Sequence, residues 1–307
     1  MTSLQESTKT ASAAANKAAE PVRLPVKSQI NPLLASVRQA AQRLGFGKKA
    51  QKPQADLLEA QLLLKESTPE SAEKALQLYT DAISVNPNAV APWMGLARCY
   101  SRLGAYADAV IALEQVLEIN QFSGEAHLEL GKAQNHLGQY ESARMHFERA
   151  TRLMPTSIDA RFGLALLEEL ANDAEISALH RAVGLYQQVL KLDKAYLPAY
   201  NNLGSLYLRL GELGKAQALF RRMTDLAPTF SRGYWGLGMV FDRNGEPEKS
   251  LRYYRKTLEL SPNNPYRQAI IDRIADIEQG MAHAYSQLGQ QTPQGTAAST
   301  PALVRVK

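Results

Sequence analysis

The sequence predicts an all-α protein in which about six helical hairpins stack into an α-solenoid. Apolar residues recur at helical spacing, glycines interrupt that spacing at regular intervals, and the whole pattern returns about every 34 residues. Residues 197–230 show it most completely, because Gly211 separates two helical runs and Pro228 ends the second. The small and apolar residues of these runs are Tyr200, Leu203, Gly204, Tyr207, Ala216, Phe220 and Met223.

This pattern resembles the tetratricopeptide repeat, a helical hairpin with a bulky residue, a Leu-Gly pair, a glycine between the helices and a closing proline. The resemblance implies a right-handed α-solenoid that binds other proteins or peptides. The predicted repeats fill residues 51–264 and span 56–89, 90–123, 124–157, 158–196, 197–230 and 231–264.

Glycines recur at one offset inside the predicted first helices, as Gly131, Gly204 and Gly238. Glycine in a helix interior costs about 1 kcal/mol relative to alanine. Its recurrence therefore predicts a steric need, and we expect two helices to approach closely at these positions.

Two predicted repeats depart from the pattern. In the first, Leu58, Leu62 and Leu63 mark one helix, and the turn KESTPESAEK is longer than elsewhere. In the fourth, the interval between its two halves is longer by five residues, with the insertion near 171–177. The extra residues form either a longer turn or an added turn on the second helix. Such insertions often serve binding, and they are also tolerated on surfaces without a function.

Both ends of the chain have compositions unlike the repeats. Residues 1–30 are predicted to be a disordered basic tail, and residues 290–307 a disordered tail rich in Gln, Thr, Pro and Gly. Residues 265–289 are predicted to form a capping helix that covers the last repeat. Its apolar row is Ile270, Ile271, Ile274, Ile277, Met281, Ala284 and Leu288.

Residues 31–50 are predicted to form a short amphipathic helix, because Asn31 can cap it and Pro32 suits its first position. Two roles stay open. The apolar side can dock on the first repeat as a cap, or it can contact a membrane or a partner. The residues that would make the membrane or partner contact are Leu33, Leu34, Val37, Arg38, Leu44 and Phe46.

The net charge of +5 is not carried by the repeats. Residues 1–50 carry +6 and the residues after 289 carry +2, which leaves −3 on residues 51–289. A basic nucleic-acid surface on the solenoid is therefore not expected. The single cysteine, Cys99, excludes an internal disulfide and fits a reducing compartment. We expect a cytoplasmic protein, with peripheral membrane attachment or organellar import as alternatives.

The resemblance implies that the inner faces of the first helices line a concave groove. Its predicted residues are Met94, Arg98, Arg102, Leu128, Lys132, Asn135, His136, Phe162, Leu166, Asn201, Ser205, Arg209, Trp235, Met239 and Arg243. Apolar side chains separated by bases suit a peptide with hydrophobic anchors and some acidic residues. Alternatively, the bases pair with acids on the same side, namely Glu125, Asp159, Glu169 and Asp242.

No pattern of an enzyme is present in the sequence. The histidines lack the spacing of a helical zinc site, and there is no phosphate-binding loop or nucleophile elbow. We therefore expect no catalytic residues, no metal and no cofactor. The predicted function is a scaffold or adaptor that binds a peptide or partner segment during assembly of a larger complex. A peripheral membrane organiser with weak contact to anionic lipid, and a self-assembling homo-oligomer, are the alternatives.

Overall fold

The computed structural model describes residues 52–66, 68–171 and 176–291, and all secondary structure in these residues is helical. Thirteen helices lie in these three ranges. They are α1 (Lys52–Leu63), α2 (Pro69–Val85), α3 (Val90–Arg102), α4 (Tyr106–Ile119), α5 (Gly124–His136), α6 (Tyr140–Leu153), α7 (Ile158–Ala171), α8 (Ile176–Leu192), α9 (Leu197–Arg209), α10 (Leu213–Leu226), α11 (Ser231–Arg243), α12 (Pro247–Leu260) and α13 (Arg267–Gln291).

Consecutive helices pair as six hairpins, from α1/α2 to α11/α12, and α13 follows the last one. The described residues divide into two compact units, with the boundary between Gln188 and Val189. Within each unit, the second helix of one hairpin packs against the first helix of the next, as α2 does on α3 and α10 does on α11. The predicted succession of helical hairpins is confirmed.

The turns inside four hairpins depend on glycine. Each turn contains one residue in the left-handed region, with φ between 72° and 76°. Side chains with a Cβ rarely adopt this conformation, so glycine allows the chain to reverse within three residues. These glycines are Gly104, Gly138, Gly211 and Gly245.

A second set of glycines lies where helices approach closely. A Cβ at Gly131 would lie 2.8 Å from the ring of Phe147, and a Cβ at Gly204 would lie 2.7 Å from the ring of Phe220. Gly238 has the same relation to Tyr254. The predicted close approach is confirmed, and aromatic rings of the second helices fill the space that the missing side chains leave.

The two unusual hairpins share one difference, which is a longer second helix. Both α2 and α8 contain 17 residues, whereas α4 and α6 contain 14. In the fourth hairpin, the extra residues therefore include an added helical turn. In the first hairpin, the side chain of Thr68 accepts a hydrogen bond from the Ser71 amide and caps α2. Much of the predicted long turn KESTPESAEK is thus helix.

The predicted apolar face of α1 was wrong in part. Ala60 and Leu64 are buried in the core, whereas Leu58 and Leu62 are exposed. The buried residues of this region therefore lie two positions after the leucines that the repeat pattern indicated.

The third and fourth hairpins replace core aromatics with polar residues. The fourth residue of the first helix is aromatic in α3, α9 and α11, but it is His127 in α5 and Arg161 in α7. The eleventh residue is likewise aromatic in α3, α9 and α11, but it is Gln134 in α5 and Glu168 in α7. The repeat pattern did not predict these four polar residues.

Glu168 is 3% exposed and is held by two arginines. Arg144 of α6 donates to its Oε1 atom, and the Nε of Arg181 of α8 donates to its Oε2 atom over 2.9 Å. The carboxylate thereby joins three helices of two successive hairpins. A buried charge without such partners would be strongly unfavourable, so the three side chains are a single structural unit.

The terminal helix α13 covers one side of the last hairpin. Ile270 and Ile277 form a core cluster with Leu251 and Tyr254 of α12. This arrangement matches the predicted capping helix. The predicted tail at 1–30, the amphipathic segment at 31–50 and residues 292–307 lie outside the described residues. No helix in the described ranges is both long enough and apolar enough to span a membrane.

The glycine contacts predict opposite effects for two alanine substitutions in the second unit. Gly204→Ala should lower the free energy of unfolding by about 1–3 kcal/mol, because its Cβ would overlap the buried ring of Phe220. Gly280→Ala, in the exposed middle of α13 with no atom nearby, should raise it by up to about 1 kcal/mol. Urea denaturation measures both, and stabilisation by Gly204→Ala would contradict the assigned packing.

A pair of partly buried histidines in the third hairpin predicts that the stability of the protein depends on pH. The Nδ1 atoms of His127 and His146 lie 2.9 Å apart, and burial lowers the pKa of both imidazoles. The unfolded chain, with a histidine pKa of about 6.5, then binds protons more readily than the folded chain. Stability should be fully present above that value and should fall as the pH drops through the lowered folded pKa values.

The measurement is the urea midpoint between pH 7.5 and pH 5. His127→Gln combined with His146→Gln should reduce the loss of stability on acidification, whereas His180→Gln, at an exposed position of α8, should leave it unchanged. An equal loss in the double variant and the parent would show that the histidine pair does not cause the pH dependence.

Candidate functional site

The predicted groove residues of the first unit lie on α3, α5 and α7, but two of them are not at the surface. Met94 and Leu128 are each 6% exposed and belong to core clusters. Met94 packs with the residues of the second hairpin, and Leu128 packs with Phe147 and Leu164. Their side chains are therefore part of the packing between helices.

Two predicted groove bases pair with acids of the protein itself. Arg98 forms an ion pair with Glu125, and the Nζ of Lys132 lies 2.9 Å from Glu129 Oε1. The alternative that the bases pair with nearby acids is thus confirmed for Arg98. Exposed pairs of this kind contribute about 1 kcal/mol or less, so a carboxylate of a ligand could replace either partner at little cost.

The C-terminal ends of α3 and α5 and the first residue of α4 carry a group of four side chains that we call the polar edge: Arg102, Tyr106, Asn135 and His136. The His136 ring stacks on the Tyr106 ring, with centroids 4.2 Å apart and an angle of 5° between the planes. Partial burial lowers the pKa of His136, which favours the neutral imidazole at neutral pH. The stack gives this edge a rigid, flat surface.

The other two members of the polar edge have unused hydrogen-bonding capacity. The Oδ1 atom of Asn135 is buried and has no hydrogen-bond partner among the described residues. Arg102 is exposed, and no acid within the described ranges forms an ion pair with it. A buried acceptor without a donor is uncommon in folded proteins. The polar edge therefore contains one buried acceptor without a donor and one exposed guanidinium that can bind an anion.

Further along the first unit, the predicted site residues on α7 are half-buried. Phe162 lies against Tyr186, with ring centroids 5.6 Å apart and planes tilted by 59°. Leu166 is partly exposed. The hydroxyl of Tyr186 donates to Glu169 over 2.9 Å, and Glu169 is 7% exposed. Glu169 is thus a buried partner of a tyrosine in this hairpin, and it offers no open acidic surface.

In the second unit, the predicted residues on α9 are Asn201, Ser205 and Arg209, and all three are half-buried. The Asn201 amide donates to Asn202 Oδ1 over 3.0 Å, and the Ser205 hydroxyl donates to the Asn201 carbonyl over 2.9 Å. Arg243 of α11 donates to the carbonyl of Leu208 over 2.5 Å. Asn201 and Ser205 thus form hydrogen bonds within α9, and Arg243 connects α11 to α9. These side chains stabilise the packed helices.

The predicted apolar anchors of the second unit pack against α13. Trp235 stacks on Tyr266, with centroids 5.1 Å apart, and Met239 joins the cluster around Ile270. Asp242 accepts two hydrogen bonds of 2.7 Å from Arg273 of α13. Helix α13 therefore occupies much of the contact surface that Trp235 and Met239 would offer to a ligand.

Tyr106 was missed by the sequence analysis, although it directly follows the turn that contains Gly104. Its role depends on His136, which lies 30 residues later in the sequence. No local pattern connects the two. The same holds for Tyr266, whose partner Trp235 lies in the preceding hairpin.

The described residues contain no group of three or more His, Cys, Asp or Glu side chains that could hold a metal ion. The chemistry available at the polar edge is hydrogen bonding, ion pairing and stacking. These interactions suit the binding of a peptide.

Comparison with known proteins places these observations in a family. Three family models described as tetratricopeptide repeat match residues 63–134, residues 124–156, and residues 178–229 with 201–265, which together make up more than half of the chain. Human superkiller complex protein 3 is 28% identical over 145 residues, which are 47% of this chain and 9% of that protein. The chain thus spans about a tenth of the length of this relative.

Two solved structures share the fold. PilW, described as a type IV pilus biogenesis factor, superposes with a TM-score of 0.61 at 17% identity, over 71% of this chain and 99% of that one. YrrB, described as a protein with an unusual peptide-binding site, superposes with a TM-score of 0.51 at 19% identity, over 63% and 97%. With six hairpins, the matched repeat models and these superpositions in agreement, the chain belongs to the tetratricopeptide repeat family.

Proposed function

We propose that this protein is a noncatalytic scaffold that binds an acidic segment of a partner protein at the polar edge, during assembly of a larger complex. Tetratricopeptide repeat proteins generally mediate protein–protein interactions. The observation that carries the proposal is the buried Oδ1 atom of Asn135, which has no hydrogen-bond partner within the described residues and lies beside the stacked ring of His136.

Each member of the polar edge has a distinct role in this proposal. Rotation of the half-buried Asn135 side chain would let its Oδ1 atom accept a hydrogen bond from a backbone N–H of the bound segment, which removes the cost of its unpaired oxygen. Arg102 binds a carboxylate, for which its planar guanidinium is well suited. The flat stack of His136 on Tyr106 supports an apolar or planar side chain of the segment.

The surrounding charges favour an acidic ligand. Arg98 and Lys132 lie on the same helices as Arg102 and Asn135, and each pairs with an exposed or half-buried glutamate. These pairs are weak enough to open, so a ligand carboxylate can replace Glu125 or Glu129. Binding should therefore weaken as the salt concentration rises.

The proposed site is more polar than the groove with large apolar anchors that the sequence predicted. Because Trp235 packs on Tyr266, its removal would loosen α13 as well as any ligand. The polar edge provides a better test, since Arg102 is exposed and its side chain stabilises no described ion pair.

The proposal predicts that two substitutions will weaken peptide binding without unfolding the protein. A displayed library of random peptides is selected on the full chain, and the enriched peptides are measured by fluorescence anisotropy. Arg102→Ala and Asn135→Ala should each weaken binding by about 2 kcal/mol, the loss typical of a central interface residue. Circular dichroism would confirm that both variants remain helical.

The matched control is Arg222→Ala, which removes an exposed arginine from a second helix, α10. It should change the affinity by a few tenths of a kcal/mol at most. Peptides that bind the Arg102 and Asn135 variants as tightly as the parent would move the interface elsewhere. Enriched peptides without acidic residues, with binding insensitive to salt, would contradict the proposed ligand class.

A further inference from the structure

The first helix, α1, carries an exposed apolar face. Leu58 and Leu62 lie one turn apart and are 59% and 52% exposed. The opposite side of the same helix is well packed, because Ala60 and Leu64 belong to the core that α1 forms with α2. Two neighbouring exposed leucines give this helix face a small apolar patch.

Later hairpins show what normally covers this face. Ala60 of α1 and Ala97 of α3 are both small, buried residues, and we take them as equivalent positions. In this alignment, Leu58 corresponds to Gly95 and Leu62 corresponds to Cys99. A Cβ at Gly95 would overlap the ring of Tyr79, a residue of the preceding second helix.

The same relation recurs along the chain. Gly163 lies against Phe147 and Gly236 lies against Phe220, in each case a ring from the preceding second helix. In α3, α5, α7, α9 and α11, the residues aligned with Leu62 are at most 2% exposed, and they are Cys99, Ala133, Leu167, Leu206 and Val240. Helix α1 therefore presents the face on which a preceding second helix packs, and no helix precedes it in the described residues.

The chain before α1 contains a segment suited to this position. Residues 31–50 are predicted to form an amphipathic helix, with Val37, Ala41 and Leu44 on its apolar side. Seven residues, 45–51, separate Leu44 from Lys52, whereas four residues connect each described second helix to the next first helix. A linker this short keeps the segment at a high effective concentration near α1.

The charges of the two partners are complementary. Later first helices carry a leucine directly before the small residue, such as Leu96 before Ala97, but α1 carries Glu59 there. Asp56 lies one turn earlier on α1. The segment carries four bases and no acid, namely Arg38, Arg43, Lys48 and Lys49. The apolar face of α1 lies beside acidic residues, and the apolar side of residues 31–50 is predicted to lie beside basic residues, so the charges of the two are complementary.

We propose that residues 31–50 of the same chain bind to the face formed by Leu58, Glu59 and Leu62, where they take the place of a preceding second helix. This assigns the N-terminal amphipathic segment to an intramolecular contact. The segment then shields the open end of the first hairpin from association with other chains. The proposal does not depend on peptide binding at the polar edge.

A thiol-labelling experiment on the full chain tests this contact. Glu59→Cys keeps both leucines and places a thiol at a position whose counterparts in later first helices, Leu96 and Leu130, are buried. Gln61→Cys places a thiol at an exposed position whose counterpart, Arg98, is also exposed. The natural Cys99 is fully buried and gives a low background. Labelling by a maleimide dye should be about tenfold slower in the Glu59→Cys variant than in the Gln61→Cys variant, if docked chains outnumber undocked chains by about ten to one.

Two pairs of substitutions in residues 31–50 provide the matched controls. Each pair is introduced into both the Glu59→Cys and the Gln61→Cys variant. Val37→Asp with Leu44→Asp should bring the labelling rate of the Glu59→Cys variant to that of the Gln61→Cys variant. Gln39→Asp with Gln42→Asp adds the same charge on the polar side of the segment and should leave the protection in place.

Three results would overturn the proposal. The first is equal labelling of the Glu59→Cys and Gln61→Cys variants with an unchanged segment, which shows an open face. The second is protection that survives Val37→Asp with Leu44→Asp, or that grows with protein concentration, which indicates a second copy of the chain. The third is protection that appears only after phosphatidylserine vesicles are added, which indicates a membrane.

Discussion

At two places in the chain, one aromatic ring fitted between two glycines determines how successive hairpins stack. Phe147 lies against Gly131 of its own hairpin and Gly163 of the next, and Phe220 lies in the same way between Gly204 and Gly236. A single side chain thereby fixes the distance between two successive first helices. Asn135 and His136 of the polar edge project from α5, one of these helices, so this packing also positions two of the side chains that would contact a ligand. A surface set in this way loses little conformational entropy on binding.

The repeating elements could be predicted because their causes are local. Gly211 and Gly204 stand at fixed distances from the apolar residues around them, so helix, turn and close approach follow from spacing alone. The polar interior of the third and fourth hairpins could not be predicted in this way. Arg144 and Arg181, which hold Glu168, lie 24 and 13 residues from it in the sequence. Only the packed helices bring the three charges together.

The candidate site shows the same division between local pattern and tertiary contact. The repeat pattern predicted that Arg102, Asn135 and His136 lie on first helices, as they do in α3 and α5, and the structure adds Tyr106, on which the His136 ring stacks. The register also selected Met94 and Trp235, but neighbouring helices use these side chains for packing. Large apolar side chains in this stack pack against neighbouring helices, so the side chains that remain accessible to a ligand are mainly polar.

The most direct test of this account is hydrogen–deuterium exchange on Phe220→Ala, compared with Phe230→Ala, which removes a partly exposed ring from the loop before α11. If one ring joins two hairpins, Phe220→Ala should cost about 3–5 kcal/mol and should speed amide exchange in both α9 and α11. Phe230→Ala should affect neither helix strongly. Faster exchange in α9 alone, with α11 as protected as in the parent, would contradict the claim that the ring couples successive hairpins.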